Sequence, residues 1–275
     1  MNDMPRLSVL IVTWNGDDLI KNCLDSIVAV YGEKLPQIVV VDNANAESTR
    51  KLVNEYDCVR YVAAPENLGF AGGNNLGIKY CDREYVLLLN NDTVVHEDSF
   101  APLIEFLDTH PKAGIVQGTM TIPGFGFDDC GVVMTPFGIQ HHLNRGESDS
   151  GKLVPRRVTA AKGAMMMVRR KTIEECGFLF YDHFKSYFEE TDFCRRAANH
   201  GWETWFVPTP PIDHLCGATS SKFARDEVWR QYFRNILYSF ARNWGWWGRL
   251  VMCPSFAFAA FCRSPRNLIA ALTRL

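Results

Sequence analysis

Four groups of residues in this 275-residue chain have the types and spacing to do chemistry. Asn90-Asn91-Asp92 follows the apolar run Tyr85–Leu89. A carboxylate at the end of a buried strand is costly to desolvate unless something compensates it. A divalent cation bridging a diphosphate does so, and so does a role as the cap of the turn Asn-Asp-Thr. The second group is Asn67-Leu68-Gly69-Phe70-Ala71-Gly72-Gly73-Asn74-Asn75. Its glycines allow close backbone approach to a ligand, its amides are donors, and a helix opened by such a loop can hold phosphate. It fits neither the dinucleotide nor the P-loop pattern, so an ordinary strand-to-helix connection stands beside that reading. Glu189, Glu190 and Asp192 form the third group. The helix dipole accounts for one or two acids at a helix start. Three so close together repel, which raises a carboxylate pKa toward general-base use or invites a metal. His214, in PTPPIDHLCGATS, is the fourth, and its weight comes from the other three.

The elements that must position these groups are legible from periodicity. Leu7–Thr13, Gln37–Val41, Val59–Ala63 and Tyr85–Leu89 read as strands, the apolar ones covered on both faces. Between them, Asp17–Val30, Ser48–Tyr56 and Gly72–Lys79 read as helices. This alternation predicts an open α/β sheet with right-handed crossovers. Ligands in such sheets sit beyond the carboxyl ends of the strands. Thr13-Trp14-Asn15, Asp42-Asn43 and Asn90-Asn91-Asp92 all fall there. Pro123–Arg157, Gly-rich and polar, predicts irregular structure or a hairpin with some mobility. Glu189–Asn199 and Asp226–Asn243 read as helices, the second strongly amphipathic.

The composition, 47% hydrophobic, supports a substantial core. A net charge of −2 gives no electrostatic footprint for nucleic acid. Nine scattered cysteines without a CxxC pair point away from disulfides or a zinc cluster and toward a reducing compartment. The N-terminal apolar run is too short for a signal peptide, so the expected location is cytoplasmic. No acid follows Glu227, whereas seven arginines do, a basic aromatic end suited to anionic material.

The stretches SVLIVTWNG, VVVDNAN, NLGFAGGNN, YVLLLNNDT, KGAMMMVRR, YFEETDFCRRA and DHLCGATS, in that order, resemble family 2 glycosyltransferases of the GT-A fold. They are most similar to the bacterial rhamnosyltransferase-like branch. The resemblance implies a Rossmann-like catalytic domain over 1–225, with a nucleotide-binding half to about 120 and an acceptor-side half beyond it. Residues 226–275 would form a C-terminal helical extension. It implies that Thr13, Asn15 and Asp42 hold base and ribose, with Asn67, Gly69, Asn74, Asn91, Lys162 and Gly163 on the same nucleotide-sugar site. Asn90-Asn91-Asp92 stands where the family has a DxD-type metal motif. Asn90 replaces the first acid, which leaves Asp92 as the main carboxylate ligand, and His214 matches the second ligand of a Mn²⁺ or Mg²⁺ ion. Glu190 matches the base, Asp192 is the alternative base, and Glu189 supports one of them. The implied reaction is inverting transfer of a sugar, rhamnose in that branch, from a UDP- or dTDP-sugar to a saccharide or lipid-linked hydroxyl in cell-surface polysaccharide synthesis.

Two other readings compete. A nicotinamide-dependent oxidoreductase would need G-x-G-x-x-G after the first strand, where Thr-Trp-Asn-Gly stands. A nucleotide-binding scaffold on a decayed transferase fold is favoured by Asn90 and opposed by the acids at 92, 189, 190 and 192. In the tail, the uncharged stretch Leu250–Cys262 has 13 residues and a proline, too short for the about 20 that span a bilayer. Its Trp, Phe and Arg content predicts attachment at the inner face of the cell membrane. Packing on the catalytic domain or a homodimer contact is the alternative.

Overall fold

The structure is a computed structural model that describes residues 4–215, 225–263 and 269. The β-branched runs become the buried strands β1 (Leu7–Thr13), β2 (Gln37–Asp42), β3 (Val59–Ala63) and β4 (Tyr85–Asn90). Between them lie α1 (Asp17–Tyr31), α2 (Glu47–Val53) and α3 (Gly69–Gly77). Then follow β5 (Thr93–Val94), α4 (Ala101–Thr109), β6 (Ala113–Gln117), β7 (Met120–Ile122), β8 (Gly126–Phe127), β9 (Val132–Met134), β10 (Gln140–His142) and β11 (Arg156–Val158). β12 (Met165–Arg169), α5 (Arg170–Cys176), α6 (Glu189–Asn199), β13 (Glu203–Phe206) and β14 (Ile212–His214) complete the body.

Eight strands form one sheet in the order β11-β13-β6-β12-β4-β1-β2-β3. β1, β2, β3 and β4 are parallel neighbours, as are β6 and β13. β12 runs antiparallel to both β4 and β6 and joins the two parallel blocks. Their apolar side chains are buried on both faces, against α1 and α4 on one side and α3 and α6 on the other. A smaller sheet, β5-β14-β7-β8, lies past the end of β4.

One local boundary shifts and one region gains detail. Helix α3 opens at Gly69 rather than at Gly72, so all three glycines of NLGFAGGNN lie within it. A Cβ on Gly73 would stand 2.7 Å from Val12 Cγ1, and one on Gly77 2.3 Å from Leu10 Cδ1. Those glycines let α3 lie directly on β1. The stretch Pro123–Arg157 holds β8 and the β9–β10 hairpin, and it buries Asp128, Asp129 and Cys130 completely.

After residue 224, α7 (Arg225–Asn243) buries Phe233, Ile236, Leu237 and Phe240. α8 (Gly245–Trp247) and a π-helical stretch, Gly248–Met252, turn the chain into α9 (Cys253–Arg263), which folds back on α7. Phe256 meets Phe233 and Phe240 with ring centroids 5.7 and 6.1 Å apart. Trp247 Nε1 donates to Pro136 O at 2.7 Å. The inner face of the tail therefore packs on protein. Arg266 and Arg274 lie outside the described residues. Among the described residues, no helix is long and apolar enough to cross a membrane.

Candidate active site

Sheet register assembles the site. Val12 pairs with Asn90 and Thr13 with Asp42, so three strand ends open at one level. β14 pairs antiparallel with β5, His214 opposite Thr93, and Leu215 N donates to Asp92 O at 2.9 Å. That places the imidazole beside the Asp92 carboxylate across 122 residues of chain. Asn90 N donates to Ala164 O at 3.1 Å, which brings Lys162-Gly163 to the same edge. Val12, Thr13, Asn90, Asp92, Lys162, Gly163 and His214, with Trp14, Asn43, Asn67, Phe70, Tyr187 and Glu190, line a cleft of about 290 Å³.

His214 Nε2 stands 3.4 Å from Asp92 Oδ1 and 3.3 Å from Asn90 Nδ2. Its Nδ1 is 2.7 Å from Asp128 Oδ2. Asp128 has no solvent exposure and also accepts from Lys162 Nζ at 2.6 Å and Arg145 Nη1 at 2.7 Å. Burial alone would raise the Asp128 pKa, but His214 and Lys162 outweigh it and hold the carboxyl well below its usual range. Burial likewise disfavours the imidazolium of His214, yet the bonds to Asp128 and Asp92 and their charges raise its pKa to about 9.

Asp92 and His214 fit a divalent cation. Asp92 Oδ1 is buried and makes no regular hydrogen bond, with the imidazole Nε2 of His214 at 3.4 Å as its neighbouring charge, a place that a cation can take over. Asp128 behind Nδ1 orients the ring so that Nε2 faces Asp92, the carboxylate–histidine arrangement common behind metal ligands. With Asn90 in place of an acid, the chain supplies one carboxylate and one imidazole, and no cluster of three or more His, Cys, Asp or Glu ligands occurs among the described residues. Substrate oxygens and water would complete such a shell.

The proton on His214 must leave before Nε2 can ligate. Cation affinity is therefore expected to strengthen as pH rises from 6 toward 9, with about one proton released on binding at pH 7. Calorimetry of Mn²⁺ binding in buffers of different ionisation enthalpy measures this. In the cation-free protein the sign is opposite. A raised pKa stabilises fully below the unfolded value of about 6.5 and is lost as pH passes about 9.

Glu189 and Glu190 enter the cleft from the first turn of α6. Burial and the neighbouring Glu190 raise the Glu189 pKa well above normal. Burial also raises that of Glu190, with Lys162 and the Gly163 amide pulling it back. Oε2 of each lacks a hydrogen-bond partner. A second cavity of about 150 Å³ shares Glu190, Lys162 and Tyr187 with the cleft and is otherwise walled by Gln140, His142, Thr191 and Tyr232. Glu190 thus stands between two cavities.

Of the residues singled out in the sequence, Thr13, Asn67, Gly69, Asn90, Asn91, Asp92, Lys162, Gly163, Glu190 and His214 line the cleft together. Asn15, Asp42, Asn74 and Asp192 do not. Asn15 adopts φ 49° in the turn after β1. Asp42, fully buried, accepts from Ala44 N, Ala46 N and Tyr61 Oη at 2.9, 2.8 and 2.9 Å and so shapes the turn after β2. Asn74 donates to Phe70 O at 2.9 Å within α3. Asp192, the alternative base, is 1% exposed, bonded to Arg196 Nε at 2.9 Å and Asn243 Nδ2 at 2.6 Å. Asp192→Asn is expected to leave Arg196 without its counter-charge in a buried setting and to lower stability by about 3–5 kcal/mol. Denaturant midpoints check this, and turnover per folded molecule should change little.

Sequence reasoning missed Asp128 and Tyr187, and it gave Asn43 and Phe70 no role of their own within the clusters it named. The one signal for Asp128 was a pair of acids between Phe127 and Cys130, an apolar setting in which a carboxylate needs a partner.

The eight-stranded sheet with its strand-end cleft defines the GT-A fold. The solved structure of GalNAc-T7 with UDP, GalNAc and Mn²⁺ superposes with a TM-score of 0.68 at 16% identity, over 86% of this chain and 48% of that one. The family model for glycosyl transferase family 2 matches residues 8–177, and the chain belongs to that family. A low-salt glycan biosynthesis hexosyltransferase of Haloferax volcanii is 29% identical over 206 residues, 70% of this chain and 61% of its own length. The poly-beta-1,6-N-acetyl-D-glucosamine synthase of Staphylococcus aureus is 29% identical over 125 residues, 44% of this chain and 30% of its own. The chain thus spans less than two thirds of either relative.

Proposed function

We propose that the protein transfers a hexose, with inversion, from a nucleoside-diphosphate sugar to a saccharide or lipid-linked hydroxyl in the synthesis of a surface glycan. The observation that carries this reading is Glu190, whose Oε2 has no hydrogen-bond partner and which lines both cavities. The donor would occupy the cleft at the strand ends and the acceptor the cavity walled by Gln140, His142 and Tyr232. Glu190, its pKa raised by burial, accepts the proton of the attacking hydroxyl. Asp92 and His214 would hold a divalent cation, whose charge would offset that of the diphosphate leaving group. Asp128 orients His214, and Lys162 crosses from Asp128 into the cleft wall.

Mn²⁺ and UDP, present with the structural relative, come first in the test. The likeness to the rhamnosyltransferase-like branch adds dTDP-rhamnose. A thermal-shift panel of UDP-, dTDP- and GDP-sugars with Mn²⁺ should show one class that stabilises only with the cation. Stabilisation by nucleotide alone, with no turnover of any sugar, would favour the scaffold reading.

The tail supports a membrane contact. Trp246, Leu250, Phe258 and Phe261 are each more than half exposed, and Arg249, beside Leu250 in the chain, is exposed as well. Aromatic and basic residues in this arrangement suit the interface of an anionic bilayer, where a lipid-linked acceptor is presented. Trp246→Ser with Phe258→Ser should abolish salt-sensitive sedimentation with phosphatidylglycerol vesicles while nucleotide binding persists. Wild-type protein that ignores such vesicles at low salt removes this part of the reading.

A further inference from the structure

The residues just before Glu189 take an unusual path. Lys185, Tyr187 and Phe188 all lie in the left-handed region, with φ 54°, 74° and 73°. None is glycine, so the conformation is strained and persists only where the surroundings impose it. The surroundings are mainly α7. Asn235, fully buried, directs Nδ2 at Phe184 O, Ser186 O and Tyr187 O at 3.0, 3.0 and 2.7 Å. Gln231 Nε2 donates to Phe184 O, and to Ser186 O at 3.1 Å. Arg234 Nη2 donates to His183 O at 2.9 Å. The remaining carbonyl, Lys185 O, accepts from Ala71 N at 2.7 Å, where Gly69 lacks the Cβ that would lie 2.6 Å from it. Every carbonyl from 183 to 187 is therefore held, four of the five by side chains of α7.

We infer that Asn235, seconded by Gln231, is a positioning residue for the base. It holds the loop in the left-handed path that aims Glu189 and Glu190 into the cleft, and this makes the C-terminal extension part of the catalytic apparatus. The inference rests on Glu190 being the base. A buried amide whose donors all go to backbone carbonyls of one strained loop has no other work on α7. The apolar packing of that helix is carried by Phe233, Ile236, Leu237 and Phe240.

The test compares the full chain with Asn235→Leu, which keeps the branching at Cγ but has no donors, and with Phe233→Ala. Phe233 lies on the same helix against Phe256 and Ala260, away from the loop. Nucleotide-sugar turnover with Mn²⁺, UDP affinity by calorimetry, and hydrogen exchange of residues 185–190 are the readouts. Asn235→Leu should lower kcat by about 100-fold, the scale of an approximately 1 Å misplacement. It should leave UDP affinity unchanged and speed exchange in 185–190. Phe233→Ala should melt earlier yet keep kcat per folded molecule and the protection of the loop. Should Asn235→Leu fail to fold, Gln231→Met removes two of the same bonds and should move kcat and exchange the same way by less. Unchanged kcat and protection in the Asn235 or Gln231 variant would overturn the inference, as would an equal kcat loss in Phe233→Ala. If the wild type turns over no nucleotide sugar, the proposed function fails. The exchange arm still decides whether α7 holds the loop.

Discussion

Glu190→Gln is expected to lower turnover by about two to four orders of magnitude while nucleoside-diphosphate affinity stays the same. The amide keeps the shape of the side chain and removes its basicity, and positioned proton transfer contributes on that scale. Binding should be spared because Glu190 faces the seam between the cavities, whereas Asp92 and His214 lie at the strand ends. The acid limb of the pH–rate profile should lie above the ordinary glutamate value of 4.5, since burial raises the pKa of Glu190. A base works deprotonated, so the rate falls as pH drops through that raised value. The limb should vanish in Glu190→Gln. An active Glu190→Gln beside a dead, stably folded Asp192→Asn would move the base to Asp192, against the ion pair that now occupies it.

Asp92→Ala should lose cation-dependent binding of a nucleoside diphosphate altogether. With Asn90 neutral, Asp92 supplies the carboxylate on the Nε2 side of His214, and its Oδ1, without a regular hydrogen bond, is the atom a cation would satisfy. His214→Ala should act in the same direction. Asp128→Asn should weaken Mn²⁺ affinity by about 10–100-fold, the usual range for losing a partner behind a ligating histidine. Calorimetry of UDP with Mn²⁺ and with EDTA reads all three. Affinity for UDP that is indifferent to EDTA would remove the cation from the account.

Much of the fold was legible because β-branched runs and helical periodicity report burial directly. Leu7–Thr13 and Val59–Ala63 have the bounds read from the sequence, and Asn90, Asp92, Glu190 and His214 share one cleft. Where the surroundings of a residue were not legible, the causes are physical. Glycines in NLGFAGGNN look alike whether they serve a ligand or a close helix–sheet contact, and Gly73, with Gly77 just beyond the motif, serves the second. Asp42 and Asp192 were legible as acids in the right places, but the bonds from Ala44, Ala46 and Tyr61, and from Arg196 and Asn243, are tertiary facts. Asp128 was hard to read because its partner His214 lies 86 residues away, and its one local mark is the pair of acids between Phe127 and Cys130. The tail showed its apolar and basic character, yet only packing separates the face turned to Phe188 from the face carrying Trp246 and Phe258.

The central claim is most directly tested by release of nucleoside diphosphate from a panel of UDP-, dTDP- and GDP-sugars, followed with an oligosaccharide acceptor mixture and Mn²⁺. The account predicts that at least one sugar yields diphosphate, that EDTA stops it, and that Glu190→Gln slows it at least 100-fold, at the low end for a lost general base. Diphosphate release from no sugar in the panel, or equal release by wild type and Glu190→Gln, would contradict it.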